Sequence, residues 1–161
     1  MHENLPKDQQ RQIKSFVDAA FEFNKTHNIF SRKTKEEVYE KDVLECLSLC
    51  KNIRENKTVL DIGSGGGFPG VMLSITKPKN IISLVESSNK KCYFLRKIKH
   101  DLSLENINII NQTLVKNNSL GLFDIITARA FASTHKILEL TQNNTHKTTK
   151  YLLMKGKEST T

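Results

Sequence analysis

The sequence lacks the features that mark membrane-spanning and disulfide-rich proteins. No apolar run approaches the roughly 20 residues of a membrane-spanning helix, and Met1 to Lys7 contain no apolar signal core. Cysteine is scarce: the chain has three, an odd number, and they form no Cys-x-x-Cys motif (Cys46, Cys50 and Cys92). This usage argues against a disulfide framework and favours a reducing compartment. We therefore expect a cytoplasmic protein with no membrane partner.

Metal ligands in a recognisable pattern are also lacking. Cys46 and Cys50 are four residues apart and could share a helix face, but no other ligand residues cluster near them in the sequence. A structural metal site needs about four such ligands, so we expect no metal. What the sequence does contain is 161 residues with 37% hydrophobic and 26% charged content, which fits one globular domain. The formal charge of +8 favours a polyanionic partner such as nucleic acid without identifying one.

The most informative segment runs from Thr58 to Ile75. An apolar strand leads into a cluster of glycines, and Pro69, Gly70 and a short apolar helix follow. Glycines at a strand-to-helix turn let the backbone approach a ligand closely, because no Cβ stands in the way. The first turn of a helix also presents free N–H groups. Together these features predict a nucleotide-binding turn in an α/β sheet.

The spacing of the glycines favours S-adenosylmethionine (SAM) as the nucleotide. The pattern is Asp61-x-Gly63-x-Gly65-x-Gly67, with an acid two residues before the first glycine. Proteins that bind nicotinamide dinucleotides more often lack this acid and carry the third glycine one residue later, which disfavours a dehydrogenase. Glu86 ends the next apolar segment, where an acid that binds ribose hydroxyls is expected. The alternative is a glycine-rich turn with an incidental acid.

Hydrophobic periodicity divides the chain into a helical N-terminal cap, 1–55, and an α/β core, 56–161, in one compact unit. One apolar stripe predicts a helix over 8–25, and Thr34 to Glu37 form a capping box for a second helix. Strands alternating with helices then predict a doubly wound, mostly parallel, Rossmann-like sheet. Its predicted strands are 58–63, 81–86, 107–112, 123–128 and 151–154, and its predicted helices start near Pro69 and cover 88–102 and 133–142. Ligands of such sheets bind beyond the carboxyl ends of the strands.

Four segments carry motifs that point to one family. They are Leu60 to Ile75 with Gly-Phe-Pro-Gly, Glu86 to Arg96, Phe123 to Ser133 with Arg-Ala-Phe-Ala, and Leu153 to Gly156. Together they resemble the RsmG (GidB) family of bacterial 16S ribosomal RNA methyltransferases, and Phe23 to Phe30 looks like the family's N-terminal segment. The resemblance covers roughly residues 15 to 156. The combination of Gly-Phe-Pro-Gly with Arg-Ala-Phe-Ala makes it specific.

The resemblance implies a class I SAM-dependent methyltransferase that methylates guanine N7 in 16S rRNA, either as free RNA or in the small ribosomal subunit. It implies Arg129 as the catalytic residue, able to hold a phosphate, guanine O6 or the SAM carboxylate. N7 carries a lone pair and no proton, so the transfer needs alignment and fixed dipoles and no general base. The expected cofactor-binding residues are Asp61, Gly63, Gly65, Gly67, Phe68, Glu86, Gln112, Thr113 and Arg129.

The chain departs from the family pattern in three places. Lys41 to Cys46 replace the family's His-x-x-Asp-Ser, and Thr113 to Val115 replace an Arg-x-Glu beside the adenine of SAM. The sequence also ends at Thr161, where this fold normally continues with a helix and an antiparallel strand pair. Missing C-terminal strands would leave the last strand as an open edge, so we expect marginal stability, self-association through that edge or completion by another chain.

Two alternatives keep the same cofactor site. One is a methyltransferase that acts on another RNA or on a small molecule. The other, from a different functional class, is a truncated and non-catalytic remnant that binds SAM or RNA. Methyl transfer to small-subunit RNA separates the main interpretation from both.

Overall fold

A five-stranded, all-parallel sheet forms the centre of the protein. The structure is a computed structural model that describes residues 4–154, so Lys155 and Gly156 of the last motif lie outside the described residues. The strands are β1 (Thr58–Ile62), β2 (Ile81–Glu86), β3 (Ile107–Asn111), β4 (Ile125–Arg129) and β5 (Lys150–Met154). Their order across the sheet is β3-β2-β1-β4-β5, and every pairing is parallel.

Six α-helices within residues 4–154 accompany the sheet. They are α1 (Lys7–His27), α2 (Lys35–Glu37), α3 (Leu44–Cys50), α4 (Gly70–Thr76), α5 (Asn89–Asp101) and α6 (Thr134–Leu140). A π-helical segment, Val38–Val43, joins α2 to α3, and a 3-10 turn, Gln142–Asn144, follows α6. Hydroxyl side chains cap three of the helices, because Thr34, Ser88 and Ser133 each accept a hydrogen bond from a backbone N–H of the first turn.

Alternating side chains of the strands supply a core on each face of the sheet. On one face, Val59, Ile82 and Ile125 pack in a cluster shared with α1, α3, α4 and α5. On the other face, Leu60, Val85 and Ile126 pack with Ile137 of α6 and with side chains of the 112–123 segment. Helices on both faces of a parallel sheet confirm the predicted α/β, doubly wound architecture.

The strand order creates a cleft at the carboxyl end of β1. From β1 the chain passes outward through β2 to β3, and it then returns to the opposite side of β1 as β4. The connections after β1 and after β4 therefore run in opposite directions and separate above the sheet. This reversal of strand order is where open α/β sheets bind ligands.

The predicted boundaries differ from the structure by a few residues. β4 starts at Ile125 because the N–H of Phe123 bonds to the carbonyl of Asn144, outside the ladder. Arg129 is the last residue of β4, in register with Met154, and does not lie just beyond the strand. Strands β1 and β3 end one residue early, and β5 starts at Lys150. Pro69 is the N-cap of α4 and the helix starts at Gly70.

The N-terminal helices pack directly on the α/β core. Phe16 and Val17 of α1 and Leu47 of α3 belong to the same buried cluster as Leu73 of α4. The division of the chain at residue 55 remains a prediction. At the other end of the sheet, β5 pairs only with β4 within the described residues, and self-association through this edge also remains a prediction.

Candidate active site

The glycine turn after β1 has the left-handed backbone that its sequence predicts. Gly63, Gly65 and Gly67 have φ values of 64°, 54° and 96°, a region that residues with a Cβ rarely adopt. A Cβ on Gly65 would meet only the Gly63 carbonyl oxygen within 4 Å, at 3.7 Å, so this position faces open space. A Cβ on Gly67 would approach Val71 and Phe16 at 2.7 and 2.9 Å. Gly65 therefore leaves room for a ligand, whereas Gly67 allows the turn to pack on α1 and α4.

Asp61 lies beneath this turn and is fully buried. Its Oδ1 accepts a 2.7 Å hydrogen bond from the hydroxyl of Thr127, its register partner on β4. Its Oδ2 has no hydrogen-bond partner of ordinary geometry in the part of the chain that the structure describes, although the Gly70 amide and Ser64 hydroxyl lie near enough to favour the charge. Burial outweighs these contacts and raises the pKa of Asp61 to about 6.

Glu86 connects the end of β2 to the glycine turn. Its Oε1 accepts from the amide of Gly65 at 2.9 Å, and its Oε2 accepts from the amide of Ser88 at 2.8 Å. Two amide bonds fix the carboxylate at the start of α5, yet each oxygen keeps a second lone pair. A carboxylate held in this way can accept hydrogen bonds from a pair of ribose hydroxyls.

A cavity of about 550 Å³ opens above the carboxyl ends of the strands. Most of the predicted site residues line it: Gly63, Gly65, Phe68, Glu86, Gln112, Thr113 and Arg129. Asp61 and Gly67 do not, because Asp61 is buried against Thr127 and Gly67 packs on apolar side chains. These two residues shape the turn from below, and their direct contact with a cofactor remains a prediction.

Arg129 reaches from β4 to a carboxylate in the π-helical segment. Its Nη2 donates to Oδ1 of Asp42, which is fully buried. Its guanidinium lies 5.8 Å from the centre of the Phe68 ring. Burial lowers the pKa of Arg129, but the hydrogen bond and charge of Asp42 more than compensate, so the pKa lies above its ordinary value. Arg129 is therefore a fixed cation at the cavity wall.

Arg32 and Phe131 complete the cavity walls, and the sequence did not assign a firm role to either. Arg32 donates to Asp42 from the N-terminal cap. The Phe131 ring lies against Gly63, where a Cβ would come within 2.3 Å of it, and 40% of Phe131 is exposed. Ala130, which precedes it, has a φ of 48°, unusual for a residue other than glycine. Neither the exposure of Phe131 nor the φ of Ala130 is visible in the sequence, so the Arg-Ala-Phe-Ala motif was the available signal for Phe131.

The family is settled by comparison with known sequences. A sequence model of the family described as rRNA small subunit methyltransferase G matches residues 9–161. The chain belongs to the rRNA small subunit methyltransferase G family. It is 33% identical over 156 residues to the ribosomal RNA small subunit methyltransferase G of Ruthia magnifica, a match that covers 97% of this chain and 76% of the relative. The protein of the same name from Francisella tularensis subsp. novicida is 39% identical over 136 residues, 84% of this chain and 65% of that relative. These matches confirm the resemblance to RsmG.

Solved structures show the same fold at low sequence identity. Coclaurine N-methyltransferase bound to N-methylheliamine and S-adenosylhomocysteine (SAH) superposes with a TM-score of 0.61 at 12% identity, over 86% of this chain and 48% of that one. A SAM-dependent methyltransferase from Aquifex aeolicus gives 0.54 at 20% identity, over 66% and 60% of the two chains. The class I methyltransferase fold of rRNA small subunit methyltransferase G is thus confirmed for this chain.

The cavity residues fit SAM. The cavity volume of about 550 Å³ lies within the usual range for small-molecule sites. Gly65 leaves the space beside the turn open, and Glu86 supplies acceptors for ribose hydroxyls. Ile62, Val85 and Leu114 give the cavity apolar walls, which suit an adenine ring. Groups of three or more residues able to hold a metal ion are absent from 4–154.

Proposed function

We propose that this chain transfers a methyl group from SAM to N7 of a guanine in 16S rRNA of the small ribosomal subunit. Family membership carries the proposal, because the relatives named above are ribosomal RNA small subunit methyltransferases. The cavity at the switch point of a class I methyltransferase fold supplies the place for the reaction. The cavity walls still contain the elements that such an enzyme needs, which disfavours a non-catalytic remnant.

Each group of cavity residues has a role in binding the cofactor. SAM supplies an electrophilic methyl group on a sulfonium sulfur when it is bound. The open side of Gly65, beside Gly63 in the cavity wall, receives its methionine and ribose portions, and Glu86 accepts hydrogen bonds from its ribose hydroxyls. Gln112 and Thr113, which follow β3, lie where the adenine is expected. Phe68 lines the cavity 5.8 Å from the Arg129 guanidinium, where its ring can exclude water from the methyl group.

The charged groups of the cavity suit an acceptor that loses no proton. Among the described cavity residues, Glu86 is the one carboxylate, and backbone amides occupy both of its oxygens. No histidine lines this cavity in the described part of the chain. Guanine N7 attacks through a free lone pair, so orientation and electrostatic stabilisation suffice. This absence of a free base favours N7 over ring positions that must lose a proton.

Arg129 is the proposed catalytic residue. It holds a fixed positive charge at the end of β4, within the cavity and beside Phe68. A guanidinium in this place can donate to guanine O6, next to N7, and so orient the base toward the methyl group. The formal charge of +8 favours the approach of a polyanionic RNA.

Ribosomal RNA as the acceptor implies that the enzyme acts in the bacterial cytoplasm. For membrane association, the structure offers one finding: none of the helices within 4–154 has both the length and the apolarity that crossing a bilayer requires.

Mapping the methylated base tests the proposed position. Small-subunit RNA that lacks modifications is incubated with the protein and SAM, cleaved at N7-methylated guanines and read by reverse transcription. We expect a single new stop in 16S rRNA. Methylation without an N7-specific stop would refute the proposed position, and no methylation of either free RNA or assembled subunits would refute the acceptor.

A further inference from the structure

Asp42 is a fully buried carboxylate that two arginines of the cavity share. It accepts hydrogen bonds from Nε and Nη2 of Arg32 at 3.0 and 3.1 Å, and a further bond from Nη2 of Arg129. Its side chain is 0% exposed, and it does not line the cavity itself. Asp42 lies in the π-helical segment Val38–Val43, a backbone form that is rare and frequently found at functional sites.

The two arginines reach Asp42 from different parts of the fold. Arg32 belongs to the segment between α1 and α2, in the N-terminal cap, whereas Arg129 ends β4 in the core. Both line the cavity, with 13% and 21% of their side chains exposed. The carboxylate therefore holds two guanidinium groups side by side on the cavity wall, one from each part of the chain.

Both arginines keep hydrogen-bond donors that no described residue uses. A guanidinium has five N–H donors. Arg32 directs three of them to Asp42 and to the carbonyl of Ser31. Arg129 directs one to Asp42, and its Nε lies 3.7 Å from Glu45, beyond hydrogen-bond distance. Glu45 is 44% exposed, so water screens its charge. Two donors of Arg32 and four of Arg129 remain, so Arg129 has enough donors for guanine O6 and for an anionic ligand in the cavity.

We propose that Arg32 and Arg129 form a paired cation that binds one anionic oxygen group of the methylation reaction, and that Asp42 is the residue that positions both. The inference rests on the proposed function and adds Arg32 and Asp42 to its site. Two guanidinium groups at one buried carboxylate carry one positive charge in excess, which the ion pair of Arg129 with the exposed Glu45 offsets only weakly through water. An anionic ligand in the cavity would compensate this charge more directly.

Two ligands carry the required oxyanion. One is the carboxylate of the cofactor's methionine portion, and the other is a phosphate of the RNA strand next to the target guanine. Guanidinium groups bind both kinds of group with paired, charge-assisted hydrogen bonds. SAH carries the carboxylate, and methylthioadenosine is the same thioether nucleoside with a methyl group in place of the amino-acid portion. A variant that weakens SAH but not methylthioadenosine therefore acts on the amino-acid portion, in which the carboxylate is the anionic group.

Arg32→Ala is the first test variant, because it leaves Asp42 paired with Arg129 and so preserves the fold. Lys33→Ala is the matched control: it removes the same charge from the exposed neighbouring residue, outside the cavity lining. The dissociation constants of SAH, methylthioadenosine and small-subunit RNA are measured by calorimetry or filter binding. We expect Arg32→Ala to weaken either SAH or RNA binding by about tenfold or more, with methylthioadenosine binding unchanged.

The pattern of losses identifies the oxyanion. Weaker SAH binding alone assigns the pair to the cofactor carboxylate, and weaker RNA binding alone assigns it to a phosphate. The proposal is overturned if neither ligand is affected. It is also overturned if methylthioadenosine loses affinity as much as SAH does, because that result indicates a general distortion of the cavity.

Asp42→Asn tests the positioning role through the sign of its effect. The substitution keeps the size of the side chain and removes a negative charge, so a purely electrostatic argument predicts tighter binding of anions. Positioning predicts the opposite: binding of the same anionic ligand weakens by about tenfold, and methylthioadenosine binding does not change. Tighter or unchanged anion binding would overturn the role of Asp42. If Asp42→Asn does not fold, Arg32→Ala alone decides whether the pair binds an oxyanion.

These outcomes are separable from failure of the proposed function. If the wild-type chain binds SAH but methylates no rRNA, the acceptor is wrong, while the effect of Arg32→Ala on SAH or RNA binding still decides the inference. If the wild-type chain methylates rRNA and Arg32→Ala matches Lys33→Ala for every ligand, the inference alone is wrong.

Discussion

Glu86 and Gly65 are joined by a 2.9 Å hydrogen bond from the Gly65 amide to the Glu86 carboxylate. The bond ties the carboxyl end of β2 to the turn after β1, so the residues proposed to bind the ribose and the methionine portion of SAM form one unit. The second oxygen of Glu86 is fixed by the amide of Ser88. The acid is thus held in place by the backbone before any ligand arrives, which lowers the entropy cost of binding.

Replacing Glu86 by glutamine should disturb this arrangement. A glutamine side chain has one acceptor oxygen, so one of the two backbone amides would face an N–H₂ group and lose its partner. The unpaired amide should lower stability, and the loss of a charged acceptor for the ribose hydroxyls should weaken SAH binding by about tenfold or more, since a hydrogen bond to a charged group is worth about 1.5–3 kcal/mol. Calorimetry with Glu105→Gln, at an exposed position, as the control checks this. Equal affinities for both variants would refute the role of Glu86.

Gly67 and Gly121 allow backbone strain to be separated from packing. Their φ values are nearly the same, 96° and 94°, so alanine is similarly strained at both. A Cβ at Gly67 would meet Val71 and Phe16 within 3 Å, whereas a Cβ at Gly121 would meet nothing within 4 Å. We expect Gly67→Ala to destabilise the protein by about 1–3 kcal/mol more than Gly121→Ala. Urea unfolding of both variants measures the difference, and equal losses would contradict the packing role.

Arg129→Ala should lower turnover while the fold persists. Asp42 keeps its two hydrogen bonds to Arg32 in this variant, so no buried charge is left alone. Loss of one fixed donor to the reacting base should reduce kcat by about 100-fold, with little change in Tm. Single-turnover methyl transfer measures the effect, and Arg54→Ala, at an exposed position before β1, is the control. Full activity of Arg129→Ala would show that Arg129 is not catalytic.

The buried carboxylate of Asp61 should make stability depend on pH. Its pKa is about 6 in the folded protein against an ordinary value of 3.8, so the folded state binds this proton more tightly than the unfolded chain does. The stabilising contribution of this protonation to the free energy of unfolding is complete below about pH 4. It is lost as the pH rises to about 6, a change of about 3 kcal/mol. Asp61→Asn removes this titration.

Urea unfolding at several pH values compares the wild type with Asp61→Asn. The difference in unfolding free energy should shift in favour of Asp61→Asn between about pH 4 and 6 and stay constant above about pH 6.5. Groups that titrate in both proteins cancel in this difference. A difference that does not vary with pH would show that Asp61 has an ordinary pKa.

Local sequence patterns predicted the sheet and the glycine turn. The runs Val59 to Ile62 and Ile82 to Val85 are buried in strands, and both are bounded by turn residues that are visible in the sequence. Glu86 could be assigned because it ends the apolar run that follows the glycine turn, at the distance expected for an acid that binds ribose. Burial on both sides of a parallel strand leaves a continuous apolar run, so such elements are read from the sequence with few competing interpretations.

Contacts between distant residues could not be predicted in the same way. Asp42 and Arg129 are 87 residues apart in sequence, and only the folded sheet and cap bring them together. Asp61 has Thr127 as its partner through the register of β1 and β4, which no local pattern specifies. The sequence predicted Asp61 as a cofactor-binding residue; the structure adds its position beneath the turn and its bond with Thr127, and its contact with a cofactor stays a prediction. The π-helical segment has no sequence signature among the residues of 38–43.

Transfer of a labelled methyl group from SAM to small-subunit RNA is the measurement that matters most. The wild-type chain is compared with Gly65→Asp, in which a charged side chain would enter the open space beside the glycine turn. Methyl transfer is measured on free RNA and on assembled small subunits, and SAH binding by the same protein samples is measured in parallel. We predict that the wild type binds SAH and labels the RNA and that Gly65→Asp does neither. A folded wild-type chain that binds SAH yet labels neither form of the RNA would contradict its assignment as an rRNA methyltransferase.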